Sequence, residues 1–106
     1  MVIEWLIFHV PLADQPRFIT SDAAVWTPAL ARNDGFLGKE IWQDVAAPER
    51  INLIIRWSTM AHWKAVSPEV LAATDHAFQA AMGVVYPVLQ CLAYEVLSGG
   101  EAGSLT

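Results

Sequence analysis

The apolar segment VIEWLIFHV, residues 2–10, constrains the fold of this chain more than any other feature. It is rich in β-branched and aromatic residues and too short for a typical helix, which predicts a β-strand. Alternate side chains of a strand point to opposite faces of its sheet. One face of this strand would carry Ile3 and Trp5, and the other Leu6 and Phe8. A strand that is apolar on both faces is typical of the centre of a sheet that is covered on both sides.

Two helices are predicted after this strand. The first is expected to begin at Asp14, a suitable N-cap, with Pro16 in the first turn, where its missing N–H costs little. Pro28 cannot continue that helix, so a break is expected, with Thr27 as the cap of a second, shorter helix.

Three further strands are predicted. Residues 36–42 and 51–57 lie on either side of the polar loop QDVAAPER, which indicates a hairpin. Ser67 is expected to cap the helix that follows. The last strand is predicted over 84–97, and Pro87 near its start favours a position at the edge of the sheet.

The predicted order of strand, helix, strand, strand, helix and strand is that of an α+β, ferredoxin-like domain. Its four-stranded antiparallel sheet carries the helices on one face. Right-handed crossovers are expected to place strands 1 and 3 side by side in the centre, and we expect these two to be parallel. Residues 1–97 are predicted to form the single domain, and residues 98–106, rich in glycine and serine, a flexible C-terminal tail.

The composition favours a homodimer. The chain has 106 residues, of which 55% are hydrophobic and only 16% charged, against about 25% charged in a typical domain. The mean hydropathy is +0.36. The helices can cover one face of the sheet only. We therefore expect a second copy of the chain to cover the other apolar face, sheet against sheet.

The charge pattern argues against several classes of partner. The net charge is −5, and the six lysines and arginines do not cluster, so no nucleic acid is expected to bind. No segment approaches the roughly 20 apolar residues of a membrane span, so no membrane partner is expected. The first residues lack a basic leader, and the single cysteine, Cys91, cannot form an internal disulfide. A cytoplasmic location is the resulting expectation.

The three histidines do not predict a metal site. His9, His62 and His76 lie far apart in the sequence, and neither H-x-H nor H-x-x-x-H occurs. Metal sites usually bring together ligands at closer spacing. No metal and no other cofactor is therefore expected.

Three segments carry a resemblance to a known superfamily: VIEWLIFHVP, WTPALARNDGFLGKEIW and IRWSTMAHWKAV. Over residues 1 to about 97, the chain resembles the dimeric α+β barrel superfamily of antibiotic-biosynthesis monooxygenase-like proteins. It looks closest to a small uncharacterised bacterial family within that superfamily. The resemblance implies a ferredoxin-like protomer and a homodimer. It does not imply an activity, because members range from oxygenases to proteins without known catalysis.

Two activities within the superfamily can be compared with this sequence. Haem-degrading members use an Asn on the first strand together with a Trp and a His; here Trp63 and His76 are available, but the first strand has no Asn. Quinone-forming members work without a cofactor and use Asn, Trp and Tyr. Trp57 and Trp63 are available for that role, whereas Tyr86 and Tyr94 both fall on the last strand. The resemblance to either site is therefore partial.

Asp22 is the candidate catalytic residue and a candidate ligand-binding residue. It falls in the middle of the apolar face of the first helix, where a carboxylate loses hydration unless it is paired. It is either a general base or ligand anchor in a pocket between helix and sheet, or a structural acid paired with a Trp indole, His9 or Lys39.

Trp57, Trp63 and His9 are the other predicted ligand-binding residues. The two tryptophans flank the turn from the third strand into the next helix, where aromatic rings could line a pocket or simply pack in the core. Glu4 and Arg56 hold equivalent places on the two central strands. We expect them to form a structural ion pair across the sheet that fixes the register or the dimer interface.

Three functions remain open on the sequence alone. The first is binding of an apolar or aromatic small molecule between helices and sheet. The second is a cofactor-independent monooxygenase-like activity on an aromatic substrate, with Asp22 as the base. The third is a non-catalytic dimeric interaction module. Whether the protein is an enzyme is therefore undecided at this point.

Overall fold

The structure is a computed structural model that describes residues 1–99. Of the predicted tail, the part from residue 100 onward lies outside these residues. The strands are β1 Val2–His9, β2 Phe36–Gln43, β3 Arg50–Trp57 and β4 Val88–Glu95. The helices are α1 Gln15–Ala24, α2 Trp26–Ala31, α3 Met60–Lys64 and α4 Pro68–Met82, with one turn of 3₁₀ helix over Leu12–Asp14.

The four strands form one sheet in the order β2-β3-β1-β4, and every neighbouring pair is antiparallel. This confirms the ferredoxin-like α+β fold, the central position of β1 and the edge position of β4. The expectation that strands 1 and 3 are parallel is wrong. The crossover through α1 and α2 makes β1 and β2 parallel and leaves a gap between them. β3 returns from β2 through a hairpin into that gap, so it runs against both neighbours.

The break between the first two helices lies before Pro28, but earlier than predicted. α1 ends at Ala24 and α2 begins at Trp26, so Thr27 lies inside α2 rather than capping it. Proline lacks an N–H and its ring crowds the carbonyl four residues earlier, which for Pro28 is that of Ala24. The helix is therefore interrupted one turn before the proline, with Val25 as the junction.

Helix α4 begins as predicted. The Ser67 hydroxyl accepts a hydrogen bond from the Val70 N–H at 3.1 Å, and Pro68 is the first helical residue. The helix ends at Gly83, whose φ of +74° is the left-handed conformation that glycine adopts without strain.

The core lies between the helices and one face of the sheet, which we call the inner face. Register places Leu6, Leu53 and Ile41 in one inner row, and Glu4, Ile55 and Lys39 in the next. Phe18 of α1 and Phe78 of α4 pack onto this face with their rings 5.3 Å apart. The inner face therefore combines an apolar centre with two charged side chains.

Candidate functional site

A cavity of about 390 Å³ lies between the inner face of the sheet and the helices. Its lining is mainly apolar and aromatic and comes from all four strands, all four helices and the segments before α4 and β4. The apolar and aromatic lining residues are Leu6, Phe8, Phe18, Trp26, Leu30, Leu53, Ile55, Trp57, Trp63, Val66, Leu71, Phe78, Val84, Val85, Tyr86 and Val88. Glu4, Asp22, Lys39, Lys64, Asp75 and Gln79 add the polar groups. Such a cavity has the size and composition of a small-molecule site.

Asp22 lines this cavity from the buried stripe of α1, which also includes Gln15, Phe18 and Ser21. Its carboxylate Oδ2 is paired with the Lys39 ammonium of β2. Both side chains are only 3% exposed. Among the described residues, the other oxygen, Oδ1, is buried and has no hydrogen-bond partner. Asp22 is thus both a paired acid, with Lys39 as its partner, and a wall of the cavity.

Burial dominates the electrostatics of this pair. Loss of hydration raises the pKa of Asp22, and the nearby charge and hydrogen bond of Lys39 only partly offset that effect. The same loss of hydration lowers the pKa of Lys39, against the attraction of Asp22 and, more weakly, of Glu4. Each charged form is therefore held at a cost in free energy.

Glu4 is a second acid on the cavity wall. Its Oε1 accepts a hydrogen bond from the indole N–H of Trp57 at 3.0 Å. Burial raises the pKa of Glu4, while the Trp57 hydrogen bond and the charges of Lys64 and Lys39 act in the opposite direction. Trp57 itself is 0% exposed and packs edge-on against Phe36 at 5.7 Å. This tryptophan therefore fixes Glu4 in place and forms part of the cavity wall.

The expected ion pair between Glu4 and Arg56 is not formed. In the register of β1 and β3, Glu4 lies opposite Ile55 while Arg56 lies opposite Ile3. Directly opposed residues share a face, so Glu4 is on the inner face and Arg56 on the outer face. Arg56 instead pairs with Glu40 across the outer face. The prediction failed because Arg56 lies one residue beyond Ile55, the partner of Glu4, and neighbouring residues of a strand point to opposite faces.

The other predicted ligand-binding residues divide into two groups. Trp57 and Trp63 line the cavity together with Asp22. His9 does not line it: the imidazole is exposed at the end of β1 and lies 3.2 Å from the Glu49 carboxylate. Register places His9 opposite Arg50, on the same outer face as Trp5, so its imidazole points away from the helix–sheet interface.

Two lysines and an acid on the cavity wall were not predicted as site residues. Lys39 was named only as one possible partner of Asp22, although its spacing from Ile41 on β2 places both on the inner face. Lys64 extends over the Trp63 ring, 4.4 Å from its centroid, and Asp75 is an exposed acid of α4 that also lines the cavity. No local motif marks Lys64 or Asp75, because tertiary packing alone brings them to the cavity.

Metal ligands, membrane-spanning helices and His76 are the remaining features considered among residues 1–99. No group of three His, Cys, Asp or Glu side chains in this range is arranged to hold a metal ion. None of its helices is both long and apolar enough to cross a bilayer. His76 is exposed on α4 and is absent from the cavity lining.

No family model matches the sequence, and no curated protein matches it. Solved structures do match the fold. A candidate antibiotic biosynthesis monooxygenase from Bordetella bronchiseptica is 18% identical, with a TM-score of 0.72, and the match covers 92% of this chain and 97% of that one.

Two structures of named activity also match. SnoaB, a cofactor-independent oxygenase from Streptomyces nogalater, is 13% identical with a TM-score of 0.61, covering 92% of each chain. The haem degrader MhuD from Mycobacterium tuberculosis, with two haems in its active site, is 21% identical with a TM-score of 0.69, covering 95% of this chain and 100% of that one. At these identities the likeness concerns the fold. The chain thus has the α+β fold of the antibiotic biosynthesis monooxygenase-like proteins, as its sequence predicts.

Proposed function

We propose that this protein binds an apolar or aromatic small molecule in the cavity between its helices and sheet. The observation that carries the proposal is the cavity itself: about 390 Å³, lined mainly by apolar and aromatic side chains, with a few buried polar groups on one wall. Pockets of this size and lining bury most of the surface of a small ligand. The partly exposed ring of Trp63 favours a flat ligand, since stacked or edge-on aromatic contacts add to simple burial. The fully buried Trp57 supports the wall through its hydrogen bond to Glu4.

The proposal includes a homodimer that covers the outer face of the sheet. Trp5 contacts Trp42 and Tyr94 on that face, with ring centroids 5.5 and 5.8 Å apart. Trp42 is 41% exposed and Tyr94 50% exposed in the single chain. A second copy, sheet against sheet, would remove these rings from water and would leave the cavity on the far side of each sheet.

A second candidate function is cofactor-independent oxygenation, and Asp22 is the observation that favours it. A carboxylate with a pKa raised by burial is a better proton acceptor than an exposed one, and Asp22 lines the cavity. In such a reaction Asp22 would take a proton from an acidic methylene of the bound aromatic. Dioxygen would then oxidise that carbon to a carbonyl, and its second oxygen atom would leave as water with the two hydrogens. The fold shared with SnoaB is compatible with this chemistry.

Haem degradation receives less support from the residues. The imidazole of histidine is a common ligand of haem iron, and no histidine lines the cavity within residues 1–99. The third possibility, an interaction module without a ligand, leaves the aromatic cavity without a role.

The binding proposal is tested by titration calorimetry with 2-methoxynaphthalene, a flat apolar probe. Leu71 lines the cavity from α4, and its neighbour Val70 does not, although both are exposed. Leu71→Trp should fill part of the cavity and weaken binding about tenfold or more, whereas the matched control Val70→Trp should bind as the parent protein does. Absence of binding to the parent protein would overturn the proposal.

The dimer is tested by light scattering at micromolar concentration. The expected mass is about twice the 11.7 kDa of one chain. Trp42→Glu places a charge in the proposed interface and should shift the mass towards a single chain, because a buried unpaired charge is costly. The exposed Val45, in the loop between β2 and β3, gives the matched control Val45→Glu, which should remain dimeric. A parent protein near 11.7 kDa would contradict the homodimer.

A further inference from the structure

We infer that Asp22 determines which ligands the cavity accepts, by taking a hydrogen bond from a neutral O–H group such as a phenol or an enol. This inference rests on the proposed binding function and adds a chemical class of ligand to it. It also assigns Asp22 a role that does not depend on catalysis.

The first support is the unequal state of the two carboxylate oxygens. Oδ2 is held by the Lys39 ammonium, while Oδ1 is buried without a hydrogen-bond partner among residues 1–99. A buried acceptor left without a donor carries a large cost in desolvation, and carboxylates form strong hydrogen bonds. A ligand O–H in the cavity that Asp22 lines would remove that cost. The Lys39 contact fixes the orientation of the carboxylate, so Lys39 acts as a positioning residue.

The second support is the charge of the wall, which selects against ionised ligands. The charged groups on the cavity wall are three acids, Asp22, Glu4 and Asp75, and two lysines, Lys39 and Lys64. A ligand carboxylate beside Asp22 would add a further negative charge to a wall in which Lys39 is already paired with Asp22 and Lys64 already acts on Glu4. Like charges at close range in a poorly hydrated site repel strongly. An ammonium group would face Lys39, which already compensates Asp22, and would lose its own hydration. A neutral donor satisfies Oδ1 without adding a charge.

The test uses four probes that share one ring system: 2-naphthol, naphthalene, 2-methoxynaphthalene and 2-naphthoate. Naphthalene is slightly smaller than 2-naphthol and 2-methoxynaphthalene slightly larger, and neither has an O–H group that can donate a hydrogen bond. At neutral pH the parent protein should bind 2-naphthol about tenfold or more tightly than either of these two, since a hydrogen bond to a charged group gives a difference of that order. It should bind 2-naphthoate about tenfold or more weakly than 2-naphthol.

The variant Asp22→Asn tests directly whether the Asp22 carboxylate causes the preference for 2-naphthol. Lys39 should retain the amide oxygen, which turns the amide NH₂ to the place of Oδ1 and replaces an acceptor with a donor. The preference for 2-naphthol over the methyl ether should fall to within about threefold, and 2-naphthoate should gain affinity. Asp34→Asn is the matched control, because it makes the same change at an exposed acid, in the turn between α2 and β2, that does not line the cavity. It should retain the full preference.

The outcomes separate this inference from the proposed function. Binding of all neutral probes with equal affinity would overturn the role of Asp22 and leave the binding function intact. Binding of none would overturn both. A preference that survives in Asp22→Asn, or that disappears equally in Asp34→Asn, would also overturn the inference. If Asp22→Asn does not fold, as circular dichroism would show, the comparison of probes on the parent protein decides the question alone.

Discussion

Removal of the Lys39 charge is expected to destabilise the protein more than most single substitutions. Lys39→Met keeps the length of the side chain but leaves the Asp22 carboxylate, 3% exposed, without its counter-charge or its hydrogen bond. Breaking a buried ion pair by removing one partner costs about 3–5 kcal/mol. For a domain of this size, with about 4 °C per kcal/mol, the melting temperature should fall by roughly 12–20 °C.

The double variant Asp22→Leu/Lys39→Met separates the cost of an unpaired charge from the loss of a side chain. Burial shifts the pKa of both partners towards their neutral forms, which indicates that hydration loss outweighs the attraction between them. Replacement of such a pair by apolar side chains of similar volume is often neutral or stabilising by about 1–4 kcal/mol. The double variant should therefore be at least as stable as the parent protein, although it contains the destabilising substitution.

The assay is urea unfolding followed by tryptophan fluorescence, at one fixed protein concentration because a dimer unfolds with concentration dependence. The unfolding free energy that Lys39→Met loses relative to the parent protein should shrink as the pH is lowered from neutrality towards 3.8, the ordinary pKa of an aspartate such as Asp22. The folded state then holds a proton that the unfolded state still releases, so acid favours folding in this window. A Lys39→Met protein within about 1 kcal/mol of the parent, or a double variant as unstable as the single one, would refute this reasoning.

Three further predictions concern Glu4, Gly35 and Ser67. Burial raises the pKa of Glu4 above 4.5, so just above that pH the folded state binds more protons than the unfolded state. The unfolding free energy of the parent protein minus that of Glu4→Gln should therefore grow as the pH falls towards 4.5, and a difference that shrinks would contradict the raised pKa. Gly35 has a φ of +81°, and an added Cβ would lie 2.3 Å from the His62 Cγ. Gly35→Ala should therefore lower the free energy of urea unfolding by about 2 kcal/mol or more, with partial recovery in Gly35→Ala/His62→Ala, and an unchanged free energy would contradict the close contact. Ser67→Ala should lose about 1 kcal/mol through the hydrogen bond to the Val70 N–H, and Ser67→Asp should restore most of it; equal stability of all three would show that the cap contributes nothing.

The sequence was sufficient for the order of the strands and of the helices α1, α2 and α4, because runs of β-branched and aromatic residues, caps and prolines act locally. Ser67 at the start of α4 is one example, and Pro87 is another: it directly precedes the edge strand β4, which begins at Val88 rather than at residue 84. Local signals gave the break near Pro28 but not its position, since the carbonyl that the proline disrupts belongs to an earlier residue. The direction of β1 against β3 was wrong because it depends on how a hairpin fills the gap left by a crossover.

The site was predicted only in part. Asp22 was identified because a carboxylate on the apolar face of a helix is anomalous, and Trp57 and Trp63 because they flank a turn. Glu4 was given the wrong partner. Both faces of β1 are apolar, so the alternation of side chains along the strand did not reveal whether Glu4 points to the inner or the outer face. Lys39 could be one of three partners for Asp22 until the tertiary structure brought β2 against α1.

The central claim, that the cavity between helices and sheet holds a small molecule, is tested most directly by native mass spectrometry of the protein purified from its own host. We predict a species of about twice 11.7 kDa whose mass exceeds that of two chains, with the excess lost on gentle collisional activation and released as a compound with a neutral O–H group. The excess should be much smaller in Leu71→Trp than in Val70→Trp. Adduct-free protein, or an adduct of equal abundance in both variants, would contradict the claim.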